Sequence, residues 1–103
     1  MMKITSNLVD DQFNVDMPAI LDIPASKALR DLILKSVKAG QTVRLDCSEI
    51  SQITTPGAQI LIAIGDYVGR QAARFVIVSP PDALVETFAD LGLFSQLMAW
   101  EAE

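Results

Sequence analysis

Two adjacent hydroxyls, Thr54 and Thr55, stand where an apolar strand runs through a polar turn into a Pro-Gly helix start, within VRLDCSEISQITTPGAQIL, residues 43–61. A helix N-terminus presents unpaired N–H groups and partial positive charge, so a hydroxyl held there caps the helix and can also carry a phosphate. Thr55 before Pro56 and Gly57 reads as an N-cap with proline at the first helical position, an arrangement that stands without any further role. A phosphate there would add a charge of about −1.5 to −2. The helix dipole softens that cost to the fold, whereas a partner fitted to the uncharged surface is repelled. The chemistry is that of a switch.

Other chemistries are thinly supplied. The chain of 103 residues has no histidine, so the usual general base near neutral pH and the commonest metal ligand are absent. Carboxylates are spread from Asp22 to Asp90 and read as solvated surface charge. Cys47 is the single cysteine, which excludes an internal disulfide and a multi-cysteine metal site; it reads as a small buried hydrophobe. Gly57, Gly65 and Gly69 match neither a Walker loop nor a dinucleotide fingerprint. No metal and no cofactor are expected, and the chain is not expected to be an enzyme. With 13 acidic against 8 basic residues the net charge is −5, which argues against a nucleic-acid surface. No secretory apolar region and no run near the ~20 residues that span a bilayer are evident, so a cytoplasmic protein without direct membrane insertion is expected.

The elements that must position the hydroxyls alternate between strand and helix, which points to one α/β domain over residues 1–103. A strand is expected from Met2 to Val9, then a turn at Asp10 and Asp11, then a strand from Phe13 to Leu21 in which Pro18 demands an edge or bulge. Asp22 or Ser26 caps a first helix whose stripe is Leu29, Leu32, Ile33, Ser36 and Val37, stopped by Gly40. Thr42 to Cys47 alternates as a strand, and Arg74 to Val78 is apolar on both faces. Pro80 and Pro81 suit the first turn of a helix with stripe Leu84, Val85, Phe88 and Leu91, ended by Gly92. A last helix from Phe94 to about Glu101 carries Trp100. Its apolar area suits packing on the domain, with an oligomer or partner contact as the alternative.

On the helix from Pro56 to about Gln71, Gly57, Ile60, Leu61, Ile64, Tyr67 and Val68 fall on one side, which should face the sheet. The opposite side holds Ala58, Ile62, Gly65, Asp66 and Gly69. Such small residues leave a smooth groove, either a docking surface beside the threonines or a face covered by a neighbouring element.

These segments, taken in order, resemble the STAS domain, and within it the small anti-sigma factor antagonists. ILDIPASKALRDLI, residues 20–33, resembles the family's Leu-Asp and helix-opening stretch. LDCSEISQITTPGAQILIAI, residues 45–64, resembles its Leu-Asp-x-Ser strand and its Asp-Ser-Ser-Gly-Leu-Gly turn. FVIVSPPDALVETFADLGLFSQL resembles its last strand and following helix. The resemblance implies a mixed sheet of four to five strands packed with about four helices. It also implies a bacterial signalling regulator that binds an anti-sigma factor with serine kinase activity, or a histidine-kinase-like ATPase, and is released by phosphorylation.

Matched residue by residue, Thr55 takes the place of the phosphorylated serine, Thr54 that of the aspartate, Pro56 that of a second serine, and Gly57 that of the glycine. Gln59 stands where the second glycine would be. Thr54, Thr55, Pro56, Gly57, Ala58, Gln59, Ile62, Gly65 and the upstream Asp22 are then the expected partner surface, with Thr55 and next Thr54 as the phosphate acceptors. The alternative is a constitutive subunit docked on a chemotaxis array or on the ATPase of a lipid-trafficking transporter, as a monomer or weak dimer.

Overall fold

A computed structural model describes residues 4–103. The chain opens with a hairpin, β1 (Thr5–Val9) and β2 (Gln12–Asp16), joined at Asp10 and Asp11; Asp10 takes φ 56° to close the turn. The expected strand from Met2 survives as Thr5–Val9, and Met2 and Lys3 lie outside the described residues. The single strand expected from Phe13 to Leu21 is two. β2 ends at Asp16, before Pro18, and β3 is the short Ile20–Leu21. Pro18 has no N–H to continue a ladder, and β2 is not an edge strand.

Next come α1 (Ile23–Ser36), β4 (Thr42–Asp46), β5 (Gln52–Ile53), α2 (Thr55–Arg70) and β6 (Arg74–Val78). They are followed by α3 (Asp82–Asp90), α4 (Phe94–Ala99) and β7 (Glu101–Ala102). Asp22 is the cap of α1, and that helix stops at Val37, ahead of Gly40. Pro81 is the residue before α3 rather than part of its first turn. The last helix ends at Ala99, so Glu101 belongs to a strand.

The main sheet has the order β1-β2-β4-β6-β7, with β1 antiparallel and the remainder parallel. β2, β4 and β6 advance in one direction, so right-handed crossovers put α1 and α2 side by side on one face of the sheet. That face carries Phe13, Val43 and Phe75 in one register row and Val15, Leu45 and Ile77 in the next, all buried. Leu29, Ile33, Leu61, Ile64, Val68, Leu84 and Phe88 close over it from the helices.

The opposite face is polar, with Asn14, Arg44 and Glu101 in register. Val76 shares that row and is nonetheless buried, so β6 is apolar on both faces. Its neighbours Arg44 and Glu101 are drawn into ion pairs, Arg44 with Glu103 and Arg74 with Glu101. A mixed five-stranded sheet with four helices is the architecture the sequence reading anticipates.

Candidate functional site

β3 and β5 form a parallel pair of two residues each, Ile20 against Gln52 and Leu21 against Ile53. Short as it is, the pair brings the turn before α1 against the turn before α2, so two helix N-termini open side by side. Each is closed by its own side chain. At α1 the carboxylate of Asp22 accepts from the Ala25 N–H at 3.1 Å, and the Ser26 hydroxyl donates to the Asp22 carbonyl at 2.6 Å.

At α2 the cap is Thr54, not Thr55. Thr54 Oγ1 accepts from the Gly57 N–H at 3.1 Å, and its own hydroxyl donates to the Leu21 carbonyl at 3.3 Å. The Thr54 N–H donates to the same carbonyl at 3.1 Å, and the Ala58 N–H reaches the Thr54 carbonyl at 2.9 Å. Gly57 is required by this crowding, because a Cβ there would run into the Leu21 carbonyl oxygen. The expected order therefore slips by one residue: Thr54 is structural, Thr55 is the first helical residue with its side chain exposed, and Pro56 follows it.

The exposed side chains at the start of α2 are uncharged, and the neighbouring turn contributes the partly buried carboxylate of Asp22. Pro56 and Gln59 are exposed beside Thr55, and no acidic residue stands in the first turn of α2. From the neighbouring turn, Ile20 and Ile23 are 46% and 47% exposed, an unusual state for isoleucine. Neither was singled out from the sequence, where a hydrophobe on each side of Asp22 reads as core. Few donors remain for an anion here. Pro56 has no N–H, and those of Gly57 and Ala58 are already bonded. That leaves the Thr55 N–H of the first turn.

The small-residue flank of α2 is covered at Ala58 and Gly65 and open only at its end, at Asp66 and Gly69. Ala58 is fully buried, and Gly65 lies beneath the indole of Trp100, where a Cβ would stand 2.9 Å from Nε1 and 3.0 Å from Cε2. Trp100 meets Phe75 and Phe88 edge to face, with ring centroids 5.1 and 5.8 Å apart, so the C-terminal segment packs on the body of the protein. Ile62, half-buried, lines only a shallow depression of about 220 Å³ with Gly65, Asp66, Gln96, Ala99 and Trp100.

Gly57, Leu61, Ile64 and Val68 face inward as expected, but Ala58 and Gly65 join them while Ile60 and Tyr67 are half-buried, so the buried face is rotated toward the small residues. Ile60 and Tyr67 instead line an apolar groove of about 300 Å³ between α1 and α2, with Arg30, Ile33, Leu34, Ala63 and Ile64. Of the predicted surface, Thr55, Pro56 and Gln59 are brought together in the open. Asp22 and Thr54 serve as caps at its base, Gly57 and Ala58 lie beneath it, and Gly65 belongs to the Trp100 contact.

Cys47, just past β4, is fully buried, and burial together with the Asp46 carboxylate pushes its thiol up to about 12. It takes no part in the site. Among the described residues no helix is long and apolar enough to cross a membrane.

The fold has solved counterparts. A crystal structure of a Thermotoga maritima protein proposed as an anti-sigma factor antagonist superimposes with a TM-score of 0.77 at 16% identity, covering 96% of this chain and 84% of that one. An NMR structure of the same protein gives 0.77 at 15% identity, over 95% and 78% of the two chains. The murine anion transporter Solute Carrier 26 family member A9, in its inward-facing state, matches with 0.72 at 16% identity, over 93% of this chain and 16% of the transporter. No curated protein sequence matches the chain. The sequence matches the STAS domain model over residues 5–101, nearly its whole length, and the chain therefore belongs to the STAS domain family.

Proposed function

We propose that this chain is a non-enzymatic bacterial signalling regulator of the anti-sigma factor antagonist type, acting in the cytoplasm. It binds a serine-kinase anti-sigma factor, or a related histidine-kinase-like ATPase, through the uncharged surface at the start of α2. Phosphorylation of Thr55 releases that partner. The observation that carries the reading is the exposed Thr55 side chain with Pro56 and Gln59 exposed beside it, and the solvent-facing Ile20 and Ile23 on the neighbouring turn. The likeness to the Thermotoga maritima protein supports it at the level of the fold.

The mechanism is repulsion. Thr54, not Thr55, holds the helix cap, so a phosphate on Thr55 leaves the cap bonds of the fold intact. The added charge of about −1.5 to −2 then stands among exposed side chains, Thr55, Pro56 and Gln59, that carry none, beside the capping carboxylate of Asp22. A partner that buries this surface must desolvate a dianion with few N–H groups to receive it.

Incubation with ATP and a panel of serine kinases of the histidine-kinase fold, read by intact mass, tests the proposal. A gain of one phosphate that disappears in Thr55→Ala, with partner binding weakened by Thr55→Glu, is the expected result. A second reading rests on Pro56, whose missing N–H removes a donor from the place where the phosphate would sit. In that reading the chain is a constitutive subunit docked on a larger assembly, such as a chemotaxis array or a transporter ATPase. No phosphate gain, together with binding unchanged by Thr55→Glu, selects it and overturns the switch.

A further inference from the structure

The two edges of the main sheet are treated differently. At one edge, β7 is two residues long, and its Glu101 is tied to Arg74. At the other, β1 runs five residues, Thr-Ser-Asn-Leu-Val, all exposed, with no charge, proline or glycine. Edge strands are ordinarily blunted by charge, proline, bulges or shortness, because their unpaired main-chain groups template further pairing. β1 has none of these protections, and Leu8 and Val9 are each 56% exposed.

The hydrogen-bond pattern says which groups are free. The Asp11 carbonyl accepts from the Thr42 N–H at 2.8 Å, and the Met17 N–H donates to the Asp46 carbonyl at 3.0 Å. Odd-numbered residues of this segment therefore turn their main-chain groups to β4, and Gln12, Asn14 and Asp16 turn theirs to β1. Their register partners Val9, Asn7 and Thr5 are thus bonded inward. The N–H and C=O groups of Ser6 and Leu8 point out of the sheet edge.

We propose that β1 pairs antiparallel with β1 of a second copy of this chain, about a two-fold axis through Asn7, joining two sheets into one. Ser6 then lies opposite Leu8 of the second copy at both ends of the pairing, and each such pair exchanges two hydrogen bonds through the outward groups. Thr5 faces Val9, so no carboxylate opposes another. A two-fold axis through Leu8 would instead draw the turn residue Asp10 into the ladder, where its φ of 56° prevents extension.

Asn7 falls at the closely spaced, non-hydrogen-bonded position. Its Oδ1 already accepts from Asn14 Nδ2 at 3.2 Å, and its Nδ2 faces the second copy's Asn7 amide. A single five-residue pairing is a small contact against the ~1,000 Å² typical of stable interfaces, so the dimer is concentration-dependent. β1 shares no residue with the surface at Thr55.

The test uses the full chain, whose Cys47 is buried. In Asn7→Cys, mild oxidation should form a disulfide-linked dimer at least about tenfold faster than in Ser6→Cys, whose thiols the register holds too far apart. Sedimentation equilibrium of the wild type up to about 1 mM should show the mass rising toward two chains. Leu8→Pro removes an outward N–H and leaves the β1–β2 bonds alone; it should remain a monomer with unchanged circular dichroism. If that variant unfolds, Leu8→Lys takes its place. A wild-type mass that stays at one chain throughout, or equal cross-linking of Asn7→Cys and Ser6→Cys, overturns the proposal.

Discussion

Trp100 lies over Gly65 with its indole nitrogen 2.9 Å from where a Cβ would stand, so the last residues of the chain roof the middle of α2. An indole is a rigid plate with little freedom to yield. Gly65→Ala should therefore cost about 1–3 kcal/mol through overpacking. Gly65→Arg should unfold the contact rather than merely block a partner. Urea denaturation of both variants checks this, and a stability equal to wild type would show that the roof is loose.

The rotation of α2 makes a paired prediction. Ile64 is 3% exposed and should lose about 2–5 kcal/mol on replacement by alanine. Ile60, half-buried at the groove against α1, should lose about 1 kcal/mol. Equal losses in chemical denaturation would restore the orientation expected from the sequence.

Thr54 and Thr55 should separate cleanly. Thr54→Ala removes the α2 cap and should cost about 1 kcal/mol. Thr55→Ala removes an exposed hydroxyl with no cap bond, so its stability should lie within about 0.5 kcal/mol of wild type. Thermal unfolding of the two variants reads the difference directly. The reverse order would return the cap to Thr55.

Stability should fall in acid. The Ser48 backbone N–H, then the Ser48 hydroxyl and more weakly Arg44, hold the Asp46 carboxyl below its ordinary 3.8. The Arg74 side chain likewise holds Glu101 below 4.5. A carboxylate depressed in the folded state stabilises above its unfolded pKa, and that contribution disappears as pH falls through the folded value. Urea midpoints should thus be flat from pH 7 to about 5 and decline below about 4.5. Arg74→Gln should make the decline shallower, and an unchanged slope would discard the Glu101 contribution.

Cys47 should be silent toward thiol reagents. With no exposed surface and a thiol pushed up to about 12, it has almost no thiolate at pH 8. Labelling by a chromogenic disulfide should proceed at the rate of unfolding and accelerate in urea. Rapid labelling of the native protein would contradict its burial.

The parts legible in the sequence are those governed by a few neighbouring residues. Strict alternation in Thr42–Asp46, the doubly apolar Arg74–Val78, the helical stripe closed by Leu29 and Ile33, and the Pro-Gly helix start all follow from backbone geometry and side-chain period. Together with the resemblance they led to the fold and to the Thr54–Thr55 turn. Local rules also have a margin of a residue or so at boundaries, and that margin displaced the cap from Thr55 to Thr54, because either threonine can accept from a first-turn N–H. The carbonyl of Leu21 decided between them, by receiving the Thr54 N–H and hydroxyl across the β3–β5 pair.

What the chain order alone left open was decided by contacts between distant segments. Helical period defines a stripe but not which neighbours cover its flanks, and Trp100 covers Gly65 only because β7 adds to the edge of β6 and carries the indole back over α2. In the same way, Ile20 carries a core signature yet faces solvent, since the β3–β5 pair directs Leu21 inward and turns Ile20 out, and Ile23 is exposed at the first position of α1. Burial of a side chain depends on what the rest of the fold brings against it, and that is a property of the tertiary structure rather than of any local run of residues.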